Sequence, residues 1–118
     1  MYMGWLPDES EIAAKSEELV LKYNPSWTGK GDKRHNIYIA PDYSEYFSID
    51  EELIFNADIP FTRESWNGRI KACRGIGASL SDKQITEFEK EHMELPKGIA
   101  DENFTIPHYC AITVMSRK

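Results

Sequence analysis

Positive charge is concentrated in residues 60–79, although the whole chain carries a formal net charge of −6. The segment holds a single acid and the four cations Arg63, Arg69, Lys71 and Arg74. Trp66 precedes Arg69 by three residues, a spacing at which two side chains meet on one face of a helix. An indole there can stack on a planar ligand while the guanidinium holds the charged end of that ligand. The segment therefore predicts a pocket for an anionic or polar ligand.

The same residues also have a structural interpretation, and the sequence leaves both open. A tryptophan such as Trp66 is more often a core anchor than a ligand platform. Arginines on helices are usually solvated or paired with acids such as Glu64. Arg63 and Arg74 add charge to the pocket only if they point the same way as Arg69. The local charge opposes the net charge of the chain, which favours the pocket interpretation.

Other chemical motifs are weak. The glycines of residues 74–79 resemble part of a phosphate-binding loop, but they follow a predicted helix, so we interpret Gly75 as a helix cap and Gly77 as a tight turn. The sequence contains no nucleophile elbow, and its three histidines lack metal-ligand spacing. His108 follows a proline in a predicted central strand. We interpret it as buried and hydrogen-bonded, with a role in substrate binding as the alternative.

Composition excludes several classes of protein. The chain has 118 residues, enough for the single domain that we predict over residues 1–118. Its 20 acids against 14 bases argue against a nucleic-acid-binding protein. No apolar run reaches membrane-spanning length, and the N-terminus lacks a signal-peptide pattern. We expect Cys73 and Cys110 to be buried reduced thiols in a cytoplasmic protein, with no metal site.

The N-terminal half predicts a strand, a helix and a loop. Residues 1–6 form a short apolar run typical of a strand. Apolar residues at helical spacing predict a helix from a cap at Asp8 or Ser10 to Tyr23, where Asn24 and the proline after it end it. Residues 26–42 predict a mobile surface loop whose cations are more often solvated than bound to phosphate. Residues 36–39 predict a short strand.

The C-terminal half predicts two long strands separated by two helices. Alternating apolar residues up to Phe61 predict a strand with one face in the core, and Pro60 indicates its end or a sheet edge. Residues 62–73 predict a helix, and a capping box at Ser81 begins another that ends near Pro96. Residues 104–115 predict a strand covered on both faces. The order predicts an α+β fold, in which about three helices pack on a mixed sheet with antiparallel C-terminal strands.

Four strings of the sequence carry a family resemblance. They are residues 3–7 (MGWLP), 21–27 (LKYNPSW), 60–69 (PFTRESWNGR) and 72–80 (ACRGIGASL). They resemble the C-terminal half of a class I S-adenosylmethionine-dependent methyltransferase of the small-molecule, UbiE-like (methyltransferase type 11) group. The resemblance runs over nearly the whole chain.

The resemblance implies roles for named residues. In that family the glycine-rich turn and the ribose-binding acid of the cofactor site lie upstream of the matched half, so we expect no S-adenosylmethionine-binding residue in this chain. Trp5 would match the end of the fourth strand, beside the methyl donor. Residues 104–115 would match the last strand, which lies antiparallel beside the sixth. The residues that would match the substrate-side insertion of that family are Arg63, Trp66, Arg69 and Arg74. Together with Trp5 and His108, they are the candidate substrate-binding residues.

Three functions follow as expectations. The first is the substrate-side portion of a methyltransferase, inactive as an isolated chain. The second is a free-standing module that binds a small anion or a partner through the Trp66 and Arg69 region. The third is an assembly piece, because half of a sheet exposes an edge that invites a homodimer or a complementing chain.

Overall fold

The computed structural model describes residues 1–118 and contains three strands, three α-helices and three short 3-10 turns. The strands are β1 (Tyr2–Trp5), β2 (Phe47–Thr62) and β3 (Asn103–Arg117). The helices are α1 (Glu11–Tyr23), α2 (Arg63–Lys71) and α3 (Asp82–Glu94). The fold is α+β, as the sequence predicts. No helix combines the length and the apolar character needed to cross a membrane.

The sheet has the order β1-β3-β2 and is antiparallel throughout. The predicted antiparallel C-terminal strands are confirmed, but the predicted mixed sheet is wrong. The strands β1 and β2 run in the same direction, yet β3 lies between them and runs against both. No two parallel neighbours therefore pair. Both β1 and β2 are edge strands, and each leaves one row of backbone groups unpaired.

Two prolines fit this sheet for different reasons. The backbone N–H of Leu6 donates to the carbonyl of Pro107 at 2.9 Å. Because hydrogen-bonded and non-hydrogen-bonded pairs alternate along antiparallel strands, this bond determines which backbone groups of the sheet point at a neighbouring strand. By that alternation the missing N–H of Pro60 would point away from β3, so this proline lies at the sheet edge without ending the strand. The missing N–H of Pro107 would point at Leu6, whose carbonyl instead accepts from Glu9 at 3.1 Å.

The helix starts agree with the sequence because local side chains determine them. The Ser10 side chain caps α1, as one of the two predicted caps. Capping boxes begin α2, with Thr62 and Ser65, and α3, with Ser81 and Gln84. These side chains satisfy backbone N–H groups that have no partner within the helix.

The end of α2 differs from the prediction. The helix ends at Lys71 with Ala72 as its cap, and a series of turns continues to residue 80. Gly75 is therefore not the cap. A Cβ atom at Gly75 would lie 2.7 Å from Val20 and 2.9 Å from Trp27, so this glycine allows close packing of the turns. Gly77 lies in a tight turn, as predicted, with its N–H bonded to the carbonyl of Cys73 at 3.0 Å.

The core lies between the helices and one face of the sheet, near the start of α2. Trp66 and Ile70 of α2, Phe88 of α3, and Ile106 of β3 are fully buried there. Because all three helices pack on this region, it contains most of the buried apolar surface that stabilises the fold.

The far half of the β2–β3 pair extends beyond the helices. Leu53 and Phe55, predicted to face the core, are 43% and 48% exposed, and Met115 is 41% exposed. The predictions of a buried β2 face and of a fully covered β3 are wrong there, because β1 has only four residues and no helix reaches this end. The radius of gyration is 16.7 Å, against about 13 to 14 Å for a compact chain of this length. Residues 36–39, predicted as a strand, have no regular structure.

Candidate functional site

A cavity of about 320 Å³ lies along the free edge of β1, and we call it the β1 cavity. It is bounded by the edge strand, the loop after α1, and the end of α2 with its following turns. Three of the predicted site residues line it, namely Trp5, Arg69 and Arg74. The remaining lining residues are Tyr2, Met3, Gly4, Trp27, Gly29, Asp32 and Cys73.

Arg69 stacks on a tryptophan, but not on the one that its spacing predicts. Its guanidinium carbon lies 4.7 Å from the centre of the Trp5 ring. Trp66 is fully buried, and its indole N–H donates to the Ser16 hydroxyl at 2.9 Å. Its ring packs edge-on against Trp5 at 5.7 Å. The core face of α2 thus contains Trp66, whereas Arg69 lies at the border of that face and reaches the edge strand. Trp66 is a core anchor and does not line the cavity.

The guanidinium groups of Arg69 and Arg74 have no protein partner. The structure contains seven ion pairs, and neither arginine takes part in one or donates a side-chain hydrogen bond. Glu64, the acid considered as a partner from the sequence, forms no ion pair either. Two cations without an ion-pair partner at a concave surface attract an anion, because the single carboxylate in the lining, Asp32, offsets only part of their charge.

Arg63 and His108 lie outside the cavity. The Arg63 guanidinium donates to the carbonyl of Ala100 at 3.5 Å. His108 is buried and its Nδ1–H donates to the carbonyl of Ile106 at 2.8 Å, which confirms the structural interpretation of this histidine. Burial lowers the pKa of His108, and the positive charge of Arg69 acts in the same direction.

The loop after α1 supplies site residues that the sequence analysis missed. Trp27 and Asp32 belong to this loop and line the cavity. One oxygen of the Asp32 carboxylate accepts from the hydroxyls of Tyr2 at 3.0 Å and Tyr109 at 2.9 Å. Burial raises the pKa of Tyr109, and the hydrogen bond to this carboxylate raises it further. Nothing in a polar, glycine-bearing loop indicates these contacts, because they join residues far apart in the chain.

Glu17 does not line the cavity, but its buried side chain is hydrogen-bonded both to the edge strand and to the loop after α1. It is 1% exposed, and its two oxygens accept from the indole N–H of Trp5 at 2.8 Å and from the backbone N–H of Gly31 at 2.9 Å. Gly31 has a φ of +79°, which favours glycine. Burial raises the pKa of the Glu17 carboxyl. Glu17 lies four residues after Ala13 and three before Val20, but the exposed Glu18 has the same spacing from Ala14 and Leu21, so the sequence does not single out Glu17.

Ser16, His92 and Asn67 have the geometry of a nucleophile, a base and an orienting group. The Ser16 hydroxyl oxygen lies 2.8 Å from His92 Nε2, and His92 Nδ1 lies 3.0 Å from Asn67 Oδ1. Ser16 is fully buried, however, and its oxygen also accepts from Trp66. Burial lowers the pKa of His92 to about 4. We interpret this group, which we call the buried polar chain, as a structural link among the three helices.

The comparisons with known proteins found no relative of this chain. Neither the family models, nor the curated proteins, nor the solved structures contain a match to this chain. No group of three or more His, Cys, Asp or Glu side chains is arranged to hold a metal ion. The candidate site is therefore the β1 cavity, with Trp5, Trp27, Arg69 and Arg74 at its centre.

Proposed function

We propose that this chain is the substrate-side portion of an S-adenosylmethionine-dependent small-molecule methyltransferase and that the β1 cavity receives the methyl acceptor. The observation that carries the proposal is the Arg69 guanidinium, stacked on Trp5 at 4.7 Å beside a cavity and without an acidic partner. Trp5, Arg69 and Arg74 are also the residues for which the family resemblance implies contact with substrate or methyl donor. The antiparallel pairing of β3 beside β2 agrees with the last strand of that family.

The size and lining of the cavity support a small-molecule acceptor. Its volume of about 320 Å³ lies at the lower end of the range of about 300 to 1,000 Å³ that is usual for ligand sites. Half of its lining residues are apolar or aromatic, and the charged groups lie on two sides. Such a site can bury the flat part of a small molecule and orient it through a few polar contacts.

The residues of this chain do not fit the cofactor of that family. A nucleotide cofactor needs a glycine-rich turn between a strand and a helix, so that backbone N–H groups approach it closely. The connection from β1 to α1 instead contains Pro7, Asp8 and Glu9 in a 3-10 turn. We therefore derive no methyl-transfer step from this chain, and its proposed role is to bind and orient the acceptor.

Calorimetry with S-adenosylmethionine tests the proposal. We expect no binding to the isolated chain, because it has no backbone cradle for the cofactor. A dissociation constant in the micromolar range would contradict the proposal. The genomic sequence upstream of Met1 gives a second test: an open frame that encodes a strand, a Gly-x-Gly turn and a helix supports the proposal, and an unrelated upstream sequence contradicts it.

A second candidate function is a free-standing module that binds a small ligand or a partner. It is favoured by the guanidinium groups of Arg69 and Arg74 at the β1 cavity, which have no ion-pair partner and can hold a small anion without a cofactor. The unpaired edge of β1 adds a surface for a complementing chain, since by the alternation of the ladder the N–H and C=O groups of Met3 and Trp5 point away from β3. Sedimentation at several concentrations tests self-association through an edge, and a strict monomer would exclude a homodimer.

A further inference from the structure

Three side-chain N–H donor groups at the β1 cavity have no partner in the protein. Two are the guanidinium groups of Arg69 and Arg74, and the third is the indole N–H of Trp27. The other two indoles are bonded, Trp5 to Glu17 at 2.8 Å and Trp66 to Ser16 at 2.9 Å. Trp27 is thus the one tryptophan whose N–H remains unused, and it lines the cavity.

The one acidic side chain at the same cavity is already engaged. Asp32 is the only acid in the lining. One of its oxygens accepts from Tyr2 and Tyr109, and the other lies 3.3 Å from Nε2 of His35. Because the free side-chain groups are donors and the one carboxylate is engaged, the side chains of the site complement a ligand group that accepts hydrogen bonds and carries negative charge.

The rest of the lining is suited to a flat apolar body. Tyr2, Met3 and Trp5 belong to the edge strand, and Trp27 lies across from them. A guanidinium is planar and presents its N–H groups as a fork, which matches the paired oxygens of a carboxylate or a phosphate. The stacking of Arg69 on Trp5 holds this fork in place, which reduces the entropy lost when the ligand binds.

We infer that the ligand of the β1 cavity is a small flat molecule that carries a carboxylate or phosphate, bound by Arg69 and Arg74 with the indole N–H of Trp27. The inference rests on the proposed function, because it assigns the chemical class of the acceptor at that site. Its oxyanion lies at the arginines, and its flat part lies against the apolar and aromatic residues of the lining.

Titration of the chain with benzoate, phenyl phosphate and benzamide, followed by tryptophan fluorescence, tests the inference. At least one of the two anions should bind with a dissociation constant in the millimolar range or below, and the anion that binds more tightly identifies the oxyanion. Benzamide has the same ring without the charge and should bind at least about tenfold more weakly, because it forms no charge-assisted hydrogen bonds. Equal binding of benzamide would overturn the inference. So would equal binding of inorganic phosphate and phenyl phosphate, since the ring would then contribute nothing.

Substitutions assign the binding to named residues. We expect Arg69→Ala to weaken binding of the preferred anion about tenfold, and Trp27→Phe about threefold, because Phe keeps an aromatic ring and loses the N–H. Lys83→Ala removes an exposed cation from α3 and should leave the affinity unchanged, as a control for net charge. Circular dichroism verifies that each variant is folded. Unchanged affinity in folded Arg69→Ala would overturn the inference.

These experiments separate the inference from the proposed function. They measure binding to the chain without S-adenosylmethionine, so an unrelated sequence upstream of Met1 would contradict the methyltransferase proposal and leave anion binding intact. Conversely, loss of selectivity for the anions would overturn the ligand class and leave the upstream test of the methyltransferase proposal unaffected.

Discussion

The β1 cavity and the buried polar chain differ in how their polar groups are paired. At the cavity, the guanidinium groups of Arg69 and Arg74 have no protein partners and face an accessible space. In the buried polar chain, Ser16 and His92 are 0% and 1% exposed, and each polar atom has a partner. The distances among Ser16, His92 and Asn67 are those of a catalytic group, whereas the groups at the β1 cavity have no such spacing. For this reason our proposed binding site rests on the unused groups at an accessible surface and not on the catalytic spacing in the core.

The buried polar chain has the hydrogen-bond directions of a catalytic group but no access for a substrate, because Ser16 and His92 are buried in the core. The amide nitrogen of Asn67 donates to Glu89 at 3.1 Å, so its oxygen accepts from Nδ1 of His92. His92 Nε2 then accepts from the Ser16 hydroxyl, whose oxygen accepts from the indole of Trp66. The histidine is neutral, and the hydroxyl hydrogen is committed within the core. The buried polar chain therefore stabilises the packing of the three helices.

The largest expected effect comes from removal of His92, which should lower stability without changing anion binding at the β1 cavity. We expect His92→Ala to lower the free energy of unfolding by about 3 kcal/mol, because it leaves a cavity beside Phe88 and removes the partners of Ser16 and Asn67. Binding of benzoate or phenyl phosphate to the folded fraction should not change. Urea denaturation measures the first effect and fluorescence titration the second. Lys90→Ala, an exposed change on the same helix, should alter stability by less than about 0.5 kcal/mol.

A loss of anion binding in folded His92→Ala would contradict this separation of the two regions. A change in stability as small as that of Lys90→Ala would show that the hydrogen bonds of the buried polar chain contribute little.

The pH dependence of stability provides a second test of the buried polar chain. The pKa of His92 is about 4 in the folded chain and 6.5 in the reference state. The unfolded chain therefore binds more protons between these values, and the free energy of unfolding falls as the pH falls from 6.5 towards 4. We expect the contribution of His92 to be lower by about 2 kcal/mol at pH 5 than at pH 7.5.

A comparison with His92→Gln isolates this contribution, because all other groups titrate in both proteins. The difference in stability between wild type and variant should become smaller as the pH falls, measured by urea denaturation at pH 7.5 and pH 5. A difference that is independent of pH would mean that His92 has an ordinary pKa.

Glu17 provides a test on the side of the β1 cavity. We expect Glu17→Gln to weaken anion binding by about threefold, because the amide can accept from Trp5 or from Gly31 but its NH₂ group cannot replace the second acceptor. The indole under Arg69 is then less well fixed. Fluorescence titration measures the change in affinity, and denaturation measures any change in stability. Glu18→Gln, on the exposed face of α1, is the matched control and should match wild type in both measurements.

An affinity of Glu17→Gln equal to that of Glu18→Gln would show that Glu17 stabilises the fold without positioning the cavity wall.

The structural features that the sequence predicted correctly are those that local interactions determine. The caps at Ser10, Thr62 and Ser81 follow from residues within one helical turn, and the alternation that predicted β2 follows from the pleat of a strand. The same reasoning placed Trp66 and Arg69 on one helix but did not determine which of them faces the core. That choice depends on how α2 packs against the sheet.

The sequence could not predict the partners of the site residues. Arg69 stacks on Trp5, and Asp32 binds Tyr109, through contacts that no local pattern encodes. The exposed half of β2 was also missed, because strand alternation does not show how far the helices extend along the sheet. The burial of Glu17 was missed for the same reason, because Glu18 has the same helical spacing from apolar residues and only the packing of α1 shows which acid is buried.

The indole N–H signals in a two-dimensional proton–nitrogen NMR spectrum test the central claim most directly. The chain has three tryptophans, with Trp5 and Trp27 at the β1 cavity and Trp66 in the buried polar chain. On titration with benzoate or phenyl phosphate, we expect the signal of Trp27 to move most and that of Trp5 to move less. The signal of Trp66 should stay in place. Movement of Trp66 with Trp27 unchanged would contradict the account.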